Sequence, residues 1–317
     1  MFNRITAGLL LLLLTVPGLI CSFLVLNIIL CSYRLQKLIA YRILLQLSIA
    51  ECVLLFGHVV SATMPLANTT YGYWGHKILS SILQSFYVCV LLLNAVLAFN
   101  RLYINTTTGA KSTITLYRVL MSLCYFVVTF EVICYLTPYV ATNFSLEHFD
   151  WNHDPRLENA LMTWILRQEK AIAFGAILFE FSCYVGIFVI VKKVQYASVQ
   201  CNQHRIQKRS AVRTSLSAPY NPEYRILVTS LIAFVYQIVM IIPFHFGRLL
   251  FDDAEFVHLL NAATWAFFPS LQQMSILFLN RELRRRLKYL LSVRKELTYS
   301  TPMSIAVAPR RNTTQIG

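Results

Sequence analysis

The sequence predicts an all-α integral membrane protein: a seven-transmembrane helix bundle with a short amphipathic eighth helix. Three features of the chain lead there. Seven apolar stretches approach spanning length, at 5–32, 43–66, 78–99, 117–140, 171–191, 226–247 and 256–279; a hydrocarbon core about 30 Å thick needs about 20 apolar residues of helix. The 317 residues are 57% hydrophobic and only 13% charged, too few polar side chains to cover a water-soluble domain of this length. The basic residues are sorted to one side of the spans. With the loop after the first span in the cytosol, 22 of the 28 Lys and Arg lie on that side with three acids, against six bases and eight acids opposite. Lys/Arg excess marks cytoplasmic loops, so the N-terminus is expected outside and the tail inside, which an odd number of spans requires. The net charge of +14 is then a face drawn to anionic lipid and calls for no nucleic acid.

The first span opens like a secretory signal, with Arg4, Leu9–Leu14 and Pro17-Gly18, but its apolar run continues to Leu30, beyond a signal core of 7–15 residues. Arg34 and Lys37 then anchor it in the cytosol. The second span carries Glu51 at mid-depth, level with Asn27 of the first, so that a carboxyl and an amide can bridge two helices or hold a cation. The third ends in Asn94-Ala-Val-Leu-Ala-Phe-Asn100-Arg101, with Asn94 and Arg101 seven residues apart and on one helix face. The fourth holds Glu131 and Pro138 and the fifth Glu180. The sixth and seventh contain no Asp, Glu, Lys or Arg and are marked by Pro243 and Pro269; a proline removes a backbone hydrogen bond and permits a kink.

Between spans four and five, 141–170 reads as a wet, acidic outer loop whose residues 157–169 form a short amphipathic helix over the outer mouth. Sequons at Asn68 and Asn143 fall outside and are expected glycosylation sites; those at Asn105 and Asn312 fall inside. Seven of the eight Cys lie within spans, so no disulfide framework is implied. After span seven, Leu283, Leu287, Leu290 and Leu291 recur at helical spacing among basic residues, an amphipathic helix on the inner membrane surface. The spanning domain is thus expected over 1–291, and 292–317 as a disordered cytosolic tail.

Acids inside a membrane are costly and default to a functional reading. Glu51 can belong to a polar switch with Asn27 and Asn94, Glu131 and Glu180 can each face a ligand cavity or bond two helices together, and the three acids can instead form an ion or proton relay of a transporter or channel. At the inner boundary Glu223, the one acid of loop 192–225, is placed to pair with Arg101. Such a half-wet pair is worth about 1 kcal/mol, suited to biasing a two-state helix movement. No Gly-rich phosphate loop, metal-ligand pair or nucleophile–base set stands out, and the seven His are scattered along the chain. No enzyme, metal or cofactor is expected.

These residues resemble the rhodopsin-like G protein-coupled receptors over nearly the full length. Asn27 and Leu47-Ser-Ile-Ala-Glu51 match polar positions of that family's first two helices, and Trp74 resembles its outer-loop tryptophan. Phe99-Asn-Arg101 resembles Asp-Arg-Tyr, Phe268-Pro269 with Gln272 resembles Asn-Pro-x-x-Tyr, and Leu279-Asn-Arg-Glu-Leu-Arg resembles the start of the surface helix. The degenerate Asn-Arg, the missing disulfide and the stub N-terminus are similar to nematode serpentine chemoreceptors of the Srv, Srt, Srx and Srg type. The resemblance implies an extracellular small-molecule ligand and a cytosolic heterotrimeric G protein. It implies an inner lock and coupling face of Arg101, Glu223, Lys192, Lys193, Arg225, Asn280 and Arg281, and a ligand pocket among Gln84, Tyr87, Glu180, Tyr236, Gln237, His245 and Trp265.

Overall fold

The computed structural model describes residues 3–106, 114–154, 159–208, 231–242 and 254–299. Nine helices are described: α1 (Arg4–Leu30), α2 (Tyr33–Gln36), α3 (Ile39–Ala67), α4 (Gly72–Thr106), α5 (Ile114–Leu136), α6 (Ala160–Lys208), α7 (Leu231–Ile242), α8 (Ala254–Leu279) and α9 (Arg281–Tyr299). Five of them, α1, α3, α4, α5 and α6, are long and apolar enough to cross a membrane by length and composition. Helix α8 has 26 residues but spends part of its apolar character on buried Asn261, Gln272 and Gln273.

Helix α4 is the pillar of the bundle, touching α3, α5 and α6. Within its most apolar stretch 67% is buried, against 28% in α1 and α5 and 22% in α6. The outer faces of those three carry exposed Leu13, Phe126, Leu178 and Phe188, as lipid-facing helices must. Helix α1 packs along both α3 and α8 and is an integral wall of the bundle. Its contact with α8 depends on Gly18: a Cβ there would lie 2.2 Å from Ser270 Oγ and 2.5 Å from Ser270 Cα. Small residues let helix backbones approach closely in lipid.

Several boundaries differ from the sequence reading. Helix α5 stops at Leu136, so Pro138 follows the helix and does not kink it, because a proline disfavours helical backbone in the residue before it. The amphipathic segment 157–169 is no separate helix: from Ala160 it is the first three turns of α6. Helix α9 continues to Tyr299, beyond the 291 boundary. Asn280 caps it, its Oδ1 accepting from the backbone N–H groups of Glu282 (3.1 Å) and Leu283 (3.4 Å). Glu223, Arg225, Pro243, His245, Asn312 and the tail from residue 300 lie outside the described residues.

Among the described residues, the outer loop holds the one departure from all-α structure. Strand β1 (Thr142–Ser145) pairs antiparallel with β2 (Asp150–His153), Phe144 opposite Trp151. The turn is closed by Phe149 N–H donating to Ser145 O (2.8 Å), while Ser145 Oγ accepts from the backbone of Glu147 and His148. The described part of the loop is wet on one side only: Phe144, Phe149 and Trp151 are buried in the main core and Asp150 is 4% exposed, while Asn143 and Glu147 face outward. Lys77 of α4 ties the loop down by donating to Val140 O.

Candidate functional site

The interior between the hairpin end and the opposite, basic end is lined by polar groups in pairs. Two of the three intramembrane acids accept a hydrogen bond from a glutamine amide, and none is held by a base in a described ion pair. Gln273 of α8 donates to Glu51 of α3 and Gln168 of α6 donates to Glu131 of α5 (3.4 Å); Gln237 of α7 lies near Glu180 of α6, with both of its amide atoms buried and outside hydrogen-bond geometry. Each acid is buried, and each keeps one carboxylate oxygen with no partner. Among the described hydrogen bonds these contacts sit on different helix combinations and share no member, so none of them links one acid to another.

Around Glu51 the network extends to Ser48 Oγ, to which Gln273 Nε2 also donates (3.1 Å), and to Ser22 of α1, which donates to Ser48 O (3.1 Å). The expected bridge from Asn27 is absent. Its side chain is exposed and donates to Phe23 O of its own helix (2.8 Å), because its position on α1 faces outward; Ser22 supplies the α1 contact. Asn94 is likewise separate from Glu51. It exchanges two hydrogen bonds with Gln272 of α8, at 2.6 and 3.2 Å.

Towards the hairpin end a small cavity is lined by Gln84, Tyr87, Met240, Asn261, Thr264 and Trp265. The structure thus brings together three expected pocket residues, Gln84 and Tyr87 of α4 and Trp265 of α8. Trp265 meets Tyr87 (6.0 Å) and His58 (5.1 Å) edge to face. Met240, Asn261 and Thr264 were not expected. Asn261 Oδ1 is buried and without a partner, an acceptor open to a bound molecule. Behind Gln84 stands Glu169 of α6, which takes the Tyr135 hydroxyl's hydrogen bond and lies beside Gln84. Tyr236 does not enter this cavity: it stacks on Phe268 and donates to Thr264 O (3.2 Å). Glu180 opens instead into a second cavity with Asn94 and Gln272, about 15 Å further along α4 by the ten residues from Gln84 to Asn94.

The hairpin plugs the end of the bundle above the first cavity. Trp151 Nε1 donates to Ser61 Oγ of α3 (3.2 Å), and its ring stacks on His76 of α4 at 5.0 Å. His76 Nε2 accepts from Phe144 N–H (2.6 Å). His258 of α8 pairs with Asp150 (3.3 Å) and stacks on His148 (4.7 Å). Four of the seven histidines, spread through the sequence, therefore lie in or against the hairpin. Burial and, less, Lys170 push His153 down to about 4. Burial holds Asp150 above the usual carboxylate range, opposed by His258. Among the described residues no cluster of His, Cys, Asp and Glu has a metal-holding arrangement. Asn68 and Asn143 are exposed at this end.

At the basic end Tyr41 of α3 accepts from Asn280 Nδ2 (3.2 Å), with Glu282, Arg101 and Arg286 as its charged neighbours. Asn280, 8% exposed, is committed to this node and to the α9 cap, so it positions α9 and offers no surface. Arg281, Lys192 and Lys193 are exposed, whereas Arg101 is half-buried. Glu282 is held by Arg285 (3.0 Å) and Arg286 (2.9 Å).

The fold has a solved counterpart. The chain is similar to squid rhodopsin with a TM-score of 0.68 and 14% identity, over 95% of this chain and 92% of that one. No family model matches the sequence, and no curated protein does. At this identity the likeness establishes architecture: a multi-pass, rhodopsin-like seven-helix bundle, with α1, α3, α4, α5, α6, α7 and α8 as its seven and α9 after the last.

Proposed function

We propose that this protein is a plasma-membrane G protein-coupled receptor. It binds a small extracellular molecule, in a chemosensory role, and signals through a cytosolic heterotrimeric G protein. The observation behind this reading is the arrangement of two opposite ends on a rhodopsin-like bundle. At the hairpin end lies a cavity of aromatic surface with a few polar groups, Gln84, Tyr87, Asn261 and Trp265, the usual makeup of small-molecule sites. At the other end stand Arg101, the exposed Lys192 and Lys193, and the arginines of α9. The N-terminus is outside and the basic end cytosolic, following the Lys/Arg bias; glycans occupy Asn68 and Asn143, and α9 rests on anionic lipid.

In this mechanism a ligand favours one of two packings of the bundle by binding it better. Arg101 and Glu223 form the inner lock. Lys192, Lys193, Arg225 and Arg281 flank the docking face, and Asn280 orients it by capping α9. The test is a small-molecule screen on cells expressing the full chain, read by a cytosolic second messenger, with Arg101→Ala expressed at equal surface density. A response lost in Arg101→Ala supports the reading. A response that persists in the variant overturns the role of Arg101, and ligand-evoked ion flux without second messenger overturns the receptor reading.

A further inference from the structure

On its α8 side, the cavity at the hairpin end presents hydrogen-bond acceptors. Asn261 and Thr264 both line it, three positions apart and so on one helix face. Asn261 Oδ1 is buried and without a partner. Thr264 directs its one hydroxyl hydrogen into its own helix, towards Leu260 O (2.8 Å) and Asn261 O (3.1 Å), so its oxygen can only accept from a bound molecule. A buried acceptor left unpaired is costly, and a molecule that brings an N–H or O–H removes that cost. The remaining lining residues are Gln84, Tyr87, Met240 and Trp265. None of the six is an Asp, Glu, Lys, Arg or His. Glu169 lies beside Gln84 without lining the cavity, and it already takes the Tyr135 hydroxyl's hydrogen bond.

A charged group entering this cavity would lose its hydration and find no opposite charge in contact, which is strongly unfavourable. The apolar surfaces of Trp265, Tyr87 and Met240 favour an uncharged body instead. The void holds about 20 Å³, against the roughly 10–15 Å³ that one water needs. It therefore seats one polar group, and Met240, unbranched and adaptable, is the side chain that can turn aside for the rest of a small molecule. We infer that the cavity takes a small uncharged molecule bearing a hydrogen-bond donor, an alcohol or an un-ionised N–H compound, and that Asn261 selects for the donor. This names the ligand class of the proposed receptor and rests on that reading for the role of the cavity. Carboxylic acids, and amines that are protonated at neutral pH, are excluded.

The test is direct binding to the purified full chain in lipid nanodiscs at neutral pH, followed by saturation-transfer NMR with empty nanodiscs subtracted and no G protein present. The probes are 1-butanol, its isomer diethyl ether, which has no O–H, butylammonium and butanoate. Wild type should bind 1-butanol about tenfold more tightly than diethyl ether, and neither ion. Asn261→Leu should erase the preference for the alcohol. Asn261→Asp puts a carboxylate in the wall and should admit butylammonium, a switch that a merely structural Asn261 would not produce. Should Asn261→Leu fail to fold, Thr264→Val removes the second acceptor and should reduce the preference. Equal binding of 1-butanol and diethyl ether in wild type overturns the inference. So does tighter binding of either ion than of 1-butanol, an alcohol preference unchanged in Asn261→Leu, or no binding of any probe. The second-messenger screen with Arg101→Ala judges the receptor reading separately, so either can fail alone.

Discussion

The carboxylate of Glu51 in α3 accepts a hydrogen bond from the amide of Gln273 in α8, 222 positions away, and neither residue is exposed to solvent. With Ser22 bonding to Ser48 O, this contact joins α1, α3 and α8 at the centre of the bundle. Buried polar groups without partners cost about 1–3 kcal/mol each. Gln273→Leu removes the donor and leaves Glu51 facing an apolar side chain, so it should destabilise the bundle by about that amount. The double variant Gln273→Leu with Glu51→Leu should recover much of the loss. Thermal unfolding of the purified chain measures both, and additive losses in the double variant would show that the two residues act separately.

Gly18→Val should be more damaging than its chemistry suggests. The first added carbon would fall within 2.5 Å of the Ser270 backbone, so α1 must move off α8. Overpacking of this kind costs about 1–3 kcal/mol. The expected outcome is a lower unfolding midpoint with reduced surface expression, whereas Gly175→Val on α6, where an added Cβ meets nothing within 4 Å, should leave both unchanged.

Trp151 anchors the hairpin through its ring on His76 and its Nε1 on Ser61. Trp151→Ala should release the hairpin while the seven helices remain folded. Hydrogen exchange should rise at the backbone amides of 142–153 and stay low in α3 and α4. Uniform exchange across both regions, or no change at the hairpin, would contradict the plug.

The hairpin should also loosen in acid. Burial holds His153 down to about 4 in the fold against 6.5 unfolded. Its stabilisation is therefore complete above 6.5 and is lost as pH falls through the folded value. Asp150, raised by burial, has the opposite sign: its contribution is present in acid and fades as pH rises. His153→Gln isolates the histidine part. Hairpin exchange rates in wild type should climb between pH 6.5 and 4, and the climb should flatten in the variant.

The helices were legible because apolar length alone defines a membrane span, and Glu51, Glu131 and Glu180 stood out because ionisable groups are rare there. Their partners were not legible. A span that is apolar on every side does not reveal which face turns inward, so Asn27 could be placed beside Glu51 although it faces outward, and Ser22 could be overlooked. The hairpin did leave a trace in Thr142-x-Phe144 and Phe149-x-Trp151, whose alternation fits a short strand pair. The acids Glu147, Asp150 and Asp154 masked it. The histidines converge only in three dimensions, because His76, His148 and His258 come from three separate segments.

In the proposed receptor the basic end is held shut by Arg101 and Glu223 and couples to a G protein when released. Basal guanine-nucleotide exchange by co-expressed G proteins, measured in membranes carrying equal amounts of wild type and Glu223→Ala, tests it most directly. Exchange should rise severalfold in the variant with no ligand present, and unchanged exchange in membranes where wild type responds to a ligand would contradict it.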